Sequence, residues 1–154
     1  MAFYTVAISD VTVTAVQDVF HLKAGATYPI SIIALELEQK GLTAAEALNV
    51  KFKRHTATVT QGSGGSTPTP AVLAGGSASS GITAHANDTT QASAGTLTTL
   101  FGKTFQLLNG LVWIPVPEMR PIISVSTGFV VDLATAPSAS MKLSGYIVYE
   151  ELGL

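Results

Sequence analysis

The chain has 154 residues, enough to bury a core without disulfides or metal. It contains no cysteine, which excludes disulfide frameworks, thiolate zinc sites and cysteine nucleophiles. Only 12% of its residues are charged against 47% hydrophobic, and the net charge of −2 argues against nucleic acid or an acidic membrane as partner.

So low a charge density leaves two readings open: a Ser/Thr-rich surface of secreted type, or a surface largely covered by neighbouring subunits. The first residues, MAFYTVAISDV, have neither a basic n-region nor a continuous apolar h-region, so they read as a strand and not as a signal peptide. Alternation over residues 3–8 continues through Val11 and Val13. Residues 19–23 form a short strand closed by Ala24-Gly25-Ala26. Residues 28–39 form a long one, with Ile30, Ile32 and Ala34 on one face and Ile33, Leu35 and Leu37 on the other. Glu36 and Glu38 join the first set, so that face emerges into solvent. The apolar run 30–37 is too short to span a bilayer.

Residues 42–49 are the helical candidate. Thr43 and Glu46 have the spacing of a capping box, in which the hydroxyl caps an amide and the carboxylate reaches back. Residues 50–59 return to strand. Lys51 and Lys53 share a face and Arg54 points the other way, which reads as a solvated strand face and not a phosphate site. From residue 55 to residue 102 the only formal charge is Asp88, and the stretch TQGSGGSTPTPAVLAGG at 60–76 is rich in Gly, Ser, Thr and Pro. The strands before this insertion are too few to close a sandwich. Residues 60–95 are therefore expected to be a long arm inserted in a single domain spanning 1–154, semi-extended at Pro68, Pro70, Val72 and Leu73.

Further strands are predicted at 97–101, 104–108, 111–114, 122–126, 129–134 and 141–150. Asn109-Gly110 reads as a hairpin turn, because both residues tolerate positive φ. In the last strand Met141, Leu143, Gly145, Ile147 and Tyr149 share the core face. About eight to ten strands with these turn spacings give an all-β sandwich or barrel.

Motifs for chemistry are weak. His21, His55 and His85 lie in separate segments without metal-ligand spacing. GSGGST at 62–67 lacks the lysine of a phosphate loop, and no nucleophile elbow is present. Glu36/Glu38 and Glu150/Glu151 have the form of carboxylate pairs but read as solvated strand ends. The sequence thus predicts no catalytic, cofactor-binding or metal-binding residues, and no enzyme. The most distinctive short motif is PVPEMRP at 115–121. Its prolines hold an extended chain on which Glu118 and Arg120 point the same way, a rigid contact segment for a neighbouring subunit. The suspected contacts are Pro68, Pro70, Val72, Leu73, Trp113, Pro117, Glu118 and Arg120.

In order, the phrases AVQDVFHLKA, VKFKRHT, GSGGSTPTP, AHANDTT, WIPVPEMRPII and MKLSGYIVYEEL give the chain a layout that resembles the capsid decoration, or cement, proteins of tailed bacteriophages. The resemblance covers nearly the whole chain and implies an antiparallel β-sandwich, often jelly-roll-like. It implies a homotrimer on the outer surface of the virion capsid, in contact with the major capsid protein and bridging neighbouring capsomers. It carries over no catalytic residues, and the contacts named above come from the arm and the proline segment alone. The alternative is a carbohydrate- or receptor-binding sandwich, such as a fibre or adhesin head domain. A single tryptophan and the lack of clustered calcium-type Asp/Asn argue against it.

Overall fold

A computed structural model of the chain describes residues 2–41, 45–56, 59–75 and 80–153. Period-two alternation builds its strands. In β1 (Ala2–Val13), Tyr4, Val6, Ile8 and Val13 are buried while Ala7, Ser9 and Thr12 are exposed. Ten strands follow: β2 (Gln17–Lys23), β3 (Ile30–Lys40), β4 (Ala47–Thr56), β5 (Ala71–Ala74), β6 (Thr83–Asp88), β7 (Thr96–Gln106), β8 (Leu111–Trp113), β9 (Ile122–Ile123), β10 (Gly128–Leu133) and β11 (Met141–Glu151).

The strands form two sheets. Sheet A has the order β5-β1-β11-β3-β8, with β9 also paired to β3, and sheet B has the order β6-β2-β10-β4-β7. Every pairing is antiparallel, and four of them nest: β1 with β11, β2 with β10, β3 with β8, β4 with β7. Such nesting is one long double-stranded ribbon rolled into two facing sheets. The chain is therefore an antiparallel β-sandwich of jelly-roll type. β9 adds a second, two-residue pairing to β3, and β5 and β6 stand outside the nesting. Both arise between β4 and β7, and they extend the β1 edge of sheet A and the β2 edge of sheet B.

The core lies between the sheets. Phe52 of sheet B stacks on Trp113 of sheet A with ring centroids 4.6 Å apart and on Phe129 at 6.2 Å. Tyr4 and Tyr149 stack at 5.5 Å on adjacent strands of sheet A. In β11, Met141, Leu143, Ile147 and Tyr149 are buried on the core face, as the alternation predicts.

Three local expectations are corrected. Glu150 and Glu151 are not a solvated strand end: both are buried, and the Glu151 carboxylate accepts from Gly81 N at 2.7 Å. Residues 47–49 of the expected helix are the start of β4, paired with Gln106, Phe105 and Thr104 of β7; residues 42–44 lie outside the described ones. A two-turn helix makes few internal hydrogen bonds, whereas the strand pairs its backbone and buries Leu48 completely. The Glu46 carboxylate accepts from Ser138 N at 2.9 Å and from Ser138 Oγ at 2.8 Å.

Nor does Asn109-Gly110 close a hairpin. It lies where the chain crosses from β7 in sheet B to β8 in sheet A, through a 3₁₀ turn at Leu107–Asn109. Leu107 and Leu111 both turn toward the core on either side of the crossing. Gly110 has φ +68°, and a Cβ there would lie 2.7 Å from Leu37 O. Gly110→Ala is therefore expected to destabilise the fold by about 1–3 kcal/mol in urea titrations.

Candidate functional site

The outer faces of the two sheets differ. Sheet B is covered over β2 and β10 by residues 60–66 and 90–93, while β7 is largely exposed. Residues 60–66 run antiparallel to residues 86–93 through bridges at Thr60/Ser93, Ser63/Thr90 and Ser66/Ala86. Polar anchors tie this layer down. Gln61 Nε2 donates to His21 O and to Thr83 O, each at 3.2 Å, and Gly65 N donates to Asp88 Oδ1 at 3.2 Å. Ala92 N donates to Asp18 Oδ2 at 2.6 Å, and Gln91 Nε2 to Asp132 Oδ1 at 2.5 Å. Beneath it His21, Asp18, Asp132 and Val130 are all buried, although their strand positions face away from the core. Lys51 is exposed as expected. Lys53 is instead half-covered, its Nζ 2.5 Å from Asp132 Oδ2. Arg54 bonds across to sheet A, donating to Ile122 O at 2.8 Å.

Sheet A keeps an open outer face. Ala7, Tyr146, Glu36 and Val112 stand in register across β1, β11, β3 and β8. A shallow depression of about 270 Å³ lies there, lined by Glu36, Glu38, Ser144, Gly145 and Tyr146 among others. Tyr146 Oη donates to Glu36 Oε2 at 2.5 Å, and that bond pushes the Tyr146 phenol above its usual range. Past β8 the face continues into an apolar ridge. Val112, Ile114, Val116, Met119 and Ile122 are each more than half exposed. Isolated exposed apolar residues need no explanation, but five within eleven consecutive positions form a patch.

The structure separates the suspected contacts. Trp113 is a core residue, 8% exposed, with its ring on Phe52 and Phe101. Val72 and Leu73 are exposed on β5, and Pro68 and Pro70 are half-buried before it. Pro117 and Glu118 are exposed but not extended. Residues Pro117–Met119 form a 3₁₀ turn, closed by Met119 N donating to Val116 O at 2.9 Å. Proline's fixed φ suits the first position of such a turn as well as an extended chain. No ion pair joins Glu118 to Arg120 among the described residues, and Arg120 Nε is buried without a hydrogen-bond partner. The ridge residues Val112, Ile114 and Val116 were missed. Their signal is the run LVWIPV, where Leu111, Trp113 and Pro115 turn inward and the alternate residues are left outside.

Under the insertion the titratable groups are strongly perturbed. The His21 and His55 rings meet edge-to-face with centroids 5.1 Å apart, and none of their four nitrogens has a hydrogen-bond partner. Burial, then the neighbouring charges of His55, His85 and Lys23, pushes His21 down to about 3. Burial likewise lowers His55. Burial pushes the Asp18 carboxyl up to about 6. Gly128 leaves room for the His21 ring, since a Cβ there would lie 2.6 Å from His21 Nε2. His85 Nδ1 lies 3.2 Å from Asp88 Oδ2. No group of three or more His, Cys, Asp or Glu among the described residues is arranged to hold a metal ion.

Comparison with known proteins adds no family: no family model, no curated protein and no solved structure matches the chain.

Proposed function

We propose that this chain is a virion structural protein, a capsid decoration protein that binds the outer surface of a phage head and bridges neighbouring capsomers. The observation that carries the reading is the uncovered apolar ridge Val112–Ile114–Val116–Met119–Ile122, continuous with the open face of sheet A. A ridge of this kind suits burial against a subunit lattice, and repetition over that lattice multiplies modest contacts into avidity. The chain's low charge supports the same reading. The trimeric state and the major capsid protein as partner follow from the resemblance in layout.

The test is co-sedimentation with undecorated heads of the phage that carries the gene, with light scattering on the free protein. The wild type is expected to form a dilution-resistant trimer and to pellet with heads. Val112→Asp with Ile114→Asp should keep the fold and weaken head binding about a hundredfold or more, at about 1.5–3 kcal/mol for each apolar side chain buried. A stable monomer that stays in the supernatant overturns the reading.

The second reading, a carbohydrate-binding sandwich, draws on the depression that holds Tyr146, Glu36 and Glu38. It predicts glycan binding that Tyr146→Ala abolishes and the ridge substitutions leave intact.

A further inference from the structure

We propose that Lys53 and Asp132 condense into an intramolecular isopeptide bond on the outer face of sheet B, with the neighbouring Asp18 carrying the proton. The reacting groups are already in contact, Lys53 Nζ lying 2.5 Å from Asp132 Oδ2. Register explains why. Lys53 on β4 stands opposite Val130 on β10, so its chain reaches diagonally to Asp132, two residues on. On the other side Asp132 stands directly opposite Asp18 of β2. The Asp132 carboxyl is thus held between an amine and a second carboxyl.

Its surroundings favour condensation over a simple ion pair. The Asp132 side chain is 4% exposed and that of Lys53 22%. Two charges under such cover carry a desolvation cost, which a neutral amide removes. Gln91 Nε2 donates to Asp132 Oδ1 at 2.5 Å, where negative charge gathers when an amine attacks the carboxyl carbon. Asp18 is 2% exposed, and burial holds its carboxyl protonated to higher pH than an ordinary aspartate. A small cavity of about 70 Å³, lined by Asp18, Lys53, Gln91, Ala92, Leu97 and Val130, has room for the departing water. Groups fixed at contact distance react with effective molarities on the order of 10⁵–10⁸ M.

The step balances without any oxidant or co-reactant. The ammonium of Lys53 loses a proton to the carboxyl pair, and Nζ attacks Cγ of Asp132. The Nζ–Cγ bond forms and the Cγ–Oδ2 bond breaks. Asp18 delivers the proton that lets Oδ2 leave as water and recovers one from the nitrogen. An ammonium and a carboxylate become an amide and one water, with no net change in protons. The bond would staple β4 to β10, two neighbouring strands inside sheet B, in a chain that has no cysteine for a disulfide.

The test is intact-mass and peptide-map mass spectrometry on the full-length folded protein after incubation at neutral pH. The expected result is a mass lower by one water, with the loss localised to a branched peptide joining Lys53 to Asp132. Lys53→Met should keep its full mass. Asp132→Asn should still close, now releasing ammonia, and give the same product mass as the wild type. Asp18→Asn should slow closure at least tenfold while circular dichroism shows the fold retained. Folded wild-type protein that keeps its full mass overturns the proposal, as does a water loss that maps to another residue.

Discussion

Phe52→Ala is expected to lower the free energy of unfolding by about 3–5 kcal/mol, the range for deleting a buried phenylalanine ring. Phe52 is completely buried at the middle of β4. Its ring is shared by both sheets, stacked on Trp113 of sheet A at 4.6 Å and near-parallel to Phe129 of sheet B at 6.2 Å. Removing it leaves those two rings facing a cavity that rigid strands cannot close. Against a total of about 5–15 kcal/mol for a typical domain, that loss is a large fraction of the stability. Urea denaturation followed by tryptophan fluorescence reads it directly, since Trp113 is the chain's one tryptophan. A loss below about 1 kcal/mol would show that the inter-sheet stack does not carry the core.

The second large effect is acid destabilisation through the histidines under the insertion. His21 is held near 3 in the folded protein against an ordinary 6.5, and His55 is lowered as well. The unfolded chain takes up protons at both sites as pH falls below 6.5, and the folded one takes them up only at lower pH. The stability that neutral His21 contributes is complete above pH 6.5 and is lost as pH falls toward 3. Asp18 works in the opposite sense. Its carboxyl is raised from 3.8 to about 6, so its contribution is complete below 3.8 and is lost as pH rises to about 6. Between these limits Asp18 offsets one histidine.

Asp18→Asn should therefore steepen the acid loss by about 1.4 kcal/mol per pH unit in that window, and His21→Phe should flatten it by a similar amount. Urea titrations from about pH 7 down to about pH 4 measure both slopes. Parallel pH dependences for the wild type and the two variants would refute the assignment.

Much of the fold could be read from residues alone. The strands at residues 3–8 and 141–150 carry alternation, which a half-buried strand imposes on any sequence that forms it. In 28–39 the two expected faces are not kept apart: Ile30, Ile32, Leu35 and Leu37 all join the core, because the register with β11 shifts between Ile32 and Ala34. The stretches 97–101 and 104–108, expected as two strands, are one, because pairing with β4 continues across Gly102. The site was less legible. Trp113 looked like a contact and is core; Ile114, its neighbour, is exposed. Alternation says that the two face opposite ways, but which way is inward depends on the sheet that β8 joins. Lys53, His21 and Asp132 occupy positions that a two-layer sandwich leaves wet. They are covered here because residues 60–66 and 90–93 fold over them, a contact between segments far apart in the chain.

Composition and period-two patterning by themselves determined that this is a cysteine-free, low-charge, antiparallel β protein whose residues 55–102 carry Asp88 as their one formal charge. Both are local properties, written in each residue and its neighbours one and two positions away. Only the tertiary structure decided the nesting of β1 with β11 through β4 with β7, and the placement of β5 and β6 on opposite sheets. It also decided that the outer face of sheet B is covered over β2 and β10, and that Lys53 meets Asp132. These depend on register between strands separated by up to most of the chain's length, and strand pattern alone carries no information about which partner a strand will find.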